Sequence, residues 1–101
     1  MRPHALRFLK EMKKVGFEIV IFTCGEKNYA NSILDKLDPK GKYIDHRLFR
    51  DSCSTDKKGV FYKDLSILGR DLSKTLIIDN LARNFDKQPS NGIHISSWYC
   101  D

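Results

Sequence analysis

Apolar and polar positions in the first third of the chain alternate between two rhythms. In "RPHALRFLKEMKKVG", Ala5, Phe8, Leu9 and Met12 keep the i, i+3, i+4, i+7 spacing, with Pro3 at the expected first helical position and Gly16 as the stop. The spacing predicts an amphipathic helix with one buried stripe. "FEIVIFT", residues 17 to 23, is dominated by apolar and β-branched residues without alternation toward its end, which predicts a buried parallel strand finishing at Thr23. In "CGEKNYANSILDKL", Tyr29, Ala30, Ile33, Leu34 and Leu37 return to helical spacing.

The middle, "GKYIDHRLFRDSCSTDKKGVFYKD", holds short β-like runs around a Ser-Thr-Asp-Lys-Lys-Gly turn and predicts a hairpin-like excursion. A short helix is expected at Leu65 to Leu68, and a last β-like run at Ile93 to Ser97. Between them lies "KTLIIDN", in which Thr75 to Ile78 run unalternated into Asp79 and Asn80. Such a run predicts a strand covered on both faces of a parallel sheet. Helix and strand in this order make an α/β class, in which ligands gather beyond the carboxyl ends of the strands. Asp79 and Asn80 stand at such an end, although both are also common turn residues.

A chain of 101 residues permits one small domain with one core. Hydrophobic residues at 41% and charged residues at 31% are an ordinary soluble balance, with no apolar stretch long enough to cross a membrane and no secretory signal pattern. An intracellular protein without membrane association is expected. Cys24, Cys53 and Cys100, odd in number and without C-x-x-C spacing, indicate neither a disulfide framework nor a zinc site and are expected as reduced thiols. The formal charge of +5 is scattered, with a modest cluster at Lys10, Lys13 and Lys14. A solvated helix face explains that cluster, and the balance also suits a phosphate-bearing partner. No motif points to nucleic acid.

The candidate chemistry stands at the ends of these elements. Phosphoryl transfer needs a hydroxyl and a cation to hold phosphate oxygens, and acids to hold a divalent metal. Thr23, Lys63 after "VFY", and Asp79 with Asn80 supply these types. Each also has an ordinary reading: Thr23 as a helix cap, Lys63 as a solvated surface charge, Asp79 as a turn residue. Their joint placement at the ends of consecutive elements favours the chemistry.

"RPHALRFLKEM", "EIVIFTCGEKNYAN", "RLFRDSC", "YKDLSILGRDLSKTLIIDN" and "QPSNGIHISSWYCD" resemble, in this order, the small phosphatases of the RNA polymerase II carboxy-terminal domain. That NLI-interacting-factor-like family belongs to the haloacid dehalogenase (HAD) superfamily. The resemblance covers nearly the whole chain. It implies a HAD-like, Rossmann-like parallel sheet flanked by helices with a small β insertion, and a single partial phosphatase domain over residues 1 to 101. By matched motif it implies that Thr23 binds phosphate, Lys63 orients it, and Asp79 and Asn80 hold Mg²⁺. Arg50 matches an arginine near the phosphate, and Tyr29 an aromatic lining the peptide groove, with the buried face of a helix as its alternative. The implied partner is a phosphorylated serine/threonine protein or peptide, and the implied compartment the nucleus ahead of the cytoplasm.

Three departures bear on this. Glu26 replaces a groove residue that is often apolar in relatives, and Leu81-Ala82 replaces the usual Ser-Pro, which leaves substrate preference open. The family's nucleophile and general acid come from D-x-D-x-[TV] on a first, central strand, and no Asp-x-Asp occurs anywhere in the chain. The central strand is therefore expected to be missing, and the chain to be a fragment without activity of its own. Two readings remain, a magnesium-dependent protein serine/threonine phosphatase domain, or a non-enzymatic phosphopeptide-binding or scaffold module. Retention of every matched downstream residue favours the first.

Overall fold

The first apolar stripe becomes α1, Ala5–Val15, in a computed structural model that describes residues 2 to 97. Pro3 lies outside the helix, because His4 takes a left-handed backbone (φ 65°) and the helical bonds begin beyond it, with Phe8 N–H donating to the His4 carbonyl. Gly16, at φ 111°, ends the helix. Its N–H donates to Lys13 O and Met12 O, and the Phe17 N–H donates to Met12 O, the pairing of a Schellman cap that only glycine enters without strain. Of the stripe, Leu9 is buried, while Phe8 is 46% exposed.

The chain divides into two compact units, one through Ser52 and one from Cys53 onward. In the first, β1 (Val20–Phe22) pairs in parallel with β2 (His46–Leu48), placing Phe22 against Leu48. The ladder continues one residue further, since the Thr23 N–H donates to Leu48 O at 3.0 Å. Between the strands runs α2, Lys27–Leu37, whose Leu34 meets Leu9, Ile19 and Ile44 in a small core. Its predicted stripe is narrower than the sequence spacing, with Tyr29 68% and Ile33 36% exposed. Asp38, buried just past α2, accepts the N–H groups of Lys42, Tyr43 and Ile44 and so fixes the turn into β2. Burial pushes its carboxyl up, but these three bonds and the Arg47 charge outweigh that and hold it below the usual carboxylate range.

The second unit opens with the expected hairpin. The strand β3 (Ser54–Thr55) pairs antiparallel with β4 (Phe61–Tyr62), and Asp56 closes the turn by accepting the Lys58 and Val60 N–H groups. A short 3₁₀ helix follows at Leu65–Leu68, where a helix was expected. The strand β5 (Ile77–Asp79) pairs in parallel with β6 (Gly92–His94), and Ile95 N–H extends the ladder to Asp79 O. Leu65, Ile77 and Phe85 form the core of this unit.

Several expectations change here. In place of the single core expected for this length, the described residues form two small clusters. The run Thr75 to Ile78 is not covered on both faces among the described residues, since Ile77 is 8% exposed but Ile78 is 45% and Leu76 58%. An unbroken apolar run reports that both faces are apolar, not which of them finds a neighbour. The expected α/β architecture with parallel strands and helices holds, and among the described residues its parallel strands form two two-stranded pairs. The last β-like run sits earlier than expected, at Gly92–His94. Cys24 and Cys53 are each disulfide-bonded, so the reduced thiols expected from count and spacing do not hold. Spacing along a chain does not report proximity in the fold.

Candidate active site

Phe61 and Tyr62 of β4 deliver Lys63 to the interior of the second unit, where it is 9% exposed. Its ammonium donates to Asp79 Oδ2 at 2.5 Å, and Asp79 is itself 6% exposed. The surface-charge reading of Lys63 is thereby excluded. Asp79 ends β5, with its other oxygen, Oδ1, accepting the Leu81 N–H at 2.9 Å. One carboxylate oxygen therefore makes the turn bond and the other the ion pair with Lys63. Burial pushes the Asp79 carboxyl up, and the Lys63 ammonium, the Leu81 N–H and the Asn84 amide together outweigh that, holding it below the usual carboxylate range.

Asn80 is exposed, its Nδ2 donating to Ser97 Oγ at 3.0 Å. His94, paired with Asp79 across the ladder, places Nε2 3.1 Å from the Asn80 carbonyl. Around Lys63 the chain is further tied down: Gln88 Nε2 donates to Asp64 Oδ1 at 3.0 Å, while Gln88 Oε1 accepts the Leu65 N–H at 3.1 Å. No pattern in the sequence marks Asn84, Gln88 or His94. A lone polar residue in "LARNFDKQPSNGIH" shows no spacing that separates a buried hydrogen-bonding role from a surface turn.

In the first unit the end of β1 carries Thr23, whose Oγ1 accepts the Gly25 N–H at 3.0 Å. The cap of α2 is Glu26, not Thr23. Its carboxylate accepts the Asn28 and Tyr29 N–H groups at 3.1 Å each, and these bonds hold it below the usual range. Arg50, in a 3₁₀ turn just beyond β2, donates from Nε to the Cys24 carbonyl at 2.9 Å. Thr23 and Arg50 thus lie together at the carboxyl ends of β1 and β2. Tyr29 is solvent-facing, which removes its buried-helix alternative.

Asp79 and Asn80 are hard oxygen donors of the type Mg²⁺ selects. In number they fall short, and among the described residues no cluster of three or more His, Cys, Asp or Glu stands ready for a metal. The fit is that of a partial donor set, in keeping with an ion that retains several waters.

The whole chain, residues 1–101, matches the family model described as NLI interacting factor-like phosphatase. It is 52% identical over 101 residues to CTD small phosphatase-like protein 3 of Caenorhabditis elegans, covering 100% of this chain and 34% of that protein. It is 43% identical over 100 residues to the human carboxy-terminal domain RNA polymerase II polypeptide A small phosphatase 2, covering 99% of this chain and 36% of that one. The chain therefore spans about a third of the length of these two relatives. Among solved structures it is similar to the fission yeast RNA polymerase II CTD phosphatase Fcp1 bound to beryllium fluoride, with a TM-score of 0.74 and 28% identity over 94% of this chain and 25% of that one.

Proposed function

The chain belongs to the NLI interacting factor-like phosphatase family, and on that premise we propose that it supplies the phosphate-holding and metal-holding residues of a magnesium-dependent protein serine/threonine phosphatase. The observation that carries this reading is the buried Lys63–Asp79 ion pair at the carboxyl end of β5. A buried cation and anion cost desolvation and are weak evidence of stability alone. Placed where open α/β sheets bind ligands, they supply a cation for phosphate oxygens and a carboxylate for a metal.

In this reading the Thr23 hydroxyl and the Arg50 guanidinium hold phosphate oxygens, the latter by the paired donors that suit such oxygens. Lys63 orients the phosphoryl group and stabilises charge on it. Asp79 and Asn80 hold Mg²⁺, which supplies Lewis-acid stabilisation of that charge. The substrate is a phosphorylated serine/threonine peptide of the RNA polymerase II carboxy-terminal type, and the compartment the nucleus. Neither nucleophile nor leaving-group acid in D-x-D-x-[TV] form occurs within the 101 residues. The chain by itself is accordingly inactive and acts with an aspartate-bearing segment. Retention of the lysine together with the acid-amide pair favours the enzyme over a scaffold.

A magnesium titration tests this. In a protein joining this chain to a D-x-D-x-T segment, Asp79→Asn is expected to raise the half-saturating magnesium concentration and lower the maximal rate of p-nitrophenyl phosphate hydrolysis. The 101-residue chain alone is expected to give no turnover. Identical titration curves for wild type and variant would remove Asp79 from the metal site, and magnesium-dependent turnover by the chain alone would place the nucleophile elsewhere.

A further inference from the structure

Asp79 presents two oxygens to four hydrogen bonds, and two of those come from one side chain that no motif predicts. Asn84 Nδ2 lies 3.2 Å from Oδ1 and 3.2 Å from Oδ2. Only the amide nitrogen can face both oxygens, because the amide oxygen would meet like charge. The residue is 7% exposed, and its backbone joins the same circuit. Asn84 N–H donates to Leu81 O at 3.0 Å, Leu81 N–H donates to Asp79 Oδ1, Lys63 N–H donates to Asn84 O at 2.8 Å, and Lys63 Nζ returns to Asp79 Oδ2.

We propose that Asn84 is the positioning residue of the lysine–aspartate pair, setting the plane of the Asp79 carboxylate so that Oδ2 faces the Lys63 ammonium. The backbone bonds of the circuit fix where the main chain of Asp79, Leu81, Asn84 and Lys63 lies, but they leave the carboxylate with one anchored oxygen, about which it can turn. The Asn84 amide, straddling both oxygens, removes that rotation. A donor without charge is required: a carboxylate there would repel Asp79, and an alanine would leave both oxygens short of a donor in a buried setting. What the pair is positioned for rests on the phosphatase reading, whereas the positioning itself rests on these distances.

The test uses the isotope-labelled chain and follows three NMR signals: the Lys63 ammonium, the Asp79 side-chain carboxyl carbon, and the Ile77 backbone amide as a reporter of the surrounding core. In Asn84→Ala the Lys63 ammonium is expected to exchange with water about tenfold faster, the cost of a lost buried hydrogen bond being of that order. The Asp79 carbon shifts while Ile77 protection stays as in wild type. In Asn84→Ser, one restored donor recovers part of both effects, and this variant carries the comparison if the alanine chain loses its fold. A purely structural role would lower Ile77 protection and leave the Lys63 and Asp79 signals in place, and unchanged signals in either folded variant would overturn the assignment. Added inorganic phosphate separates the two claims: if it leaves the wild-type Lys63 ammonium unmoved, the phosphatase reading fails at Lys63, while the Asn84 effect measured without phosphate still supports the positioning role.

Discussion

A lysine ammonium 2.5 Å from a carboxylate, both nearly closed to water, is a pair whose members depend on each other. Removing Lys63 leaves an uncompensated buried carboxylate, and Lys63→Met is expected to cost about 3–5 kcal/mol in urea unfolding. Adding Asp79→Asn to it should recover much of that loss, a coupling that two independent sites would not show. The acid side follows with a definite sign. The folded Asp79 carboxyl titrates below its unfolded value, so its contribution to stability is complete above the unfolded value of about 3.9 and is lost as pH falls through the folded one. Wild type should therefore lose stability in that acid range more steeply than Asp79→Asn. At this scale Thr23, Lys63 and Asp79 were legible as types at strand ends. The partners were not: Asn84 holds Asp79 from within a 3₁₀ turn, and Glu26 takes the cap position that residue type alone assigns to Thr23.

Elements bounded by local chemistry were readable, and elements bounded by packing were not. Gly16 ends α1 and Asp56 closes the hairpin through hydrogen bonds made within a few residues, so the sequence carries their cause. Tyr29, Ile33 and Ile78 keep apolar spacing yet face outward, because which stripe is covered depends on neighbours far along the chain. Gly92, which opens β6, is a packing constraint of the second kind. A Cβ there would meet the Phe85 ring at 2.1–2.6 Å, and that ring belongs to the buried cluster with Leu65 and Ile77. Gly92→Ala is expected to destabilise by about 1–3 kcal/mol through overpacking, read as a lowered urea midpoint. Phe85→Leu in the same chain should return part of the loss, and an unchanged midpoint in Gly92→Ala would show that the ring moves aside freely.

Over the whole chain, the order of elements and the five ordered motifs together made the family legible, and the family model spans residues 1–101. The division into two units was not legible, because composition reports how much apolar surface there is and not into how many clusters it gathers. Among the described residues each cluster has three or four buried apolar residues, so polar ties such as Asp38 in one unit and the Asp79 circuit in the other hold a large share of the local geometry. The central claim, that this chain brings the charge-stabilising half of a phosphatase, is met most directly by one kinetic comparison. In a protein joining the chain to a D-x-D-x-T segment, phosphate release from a phosphoserine peptide is measured with magnesium, for wild type and Lys63→Ala. The expected result is magnesium-dependent release by wild type and a fall in kcat of roughly 10²–10³-fold in the variant, as for removal of a comparable stabilising group. Equal rates in the two proteins, or no release by wild type, would contradict it.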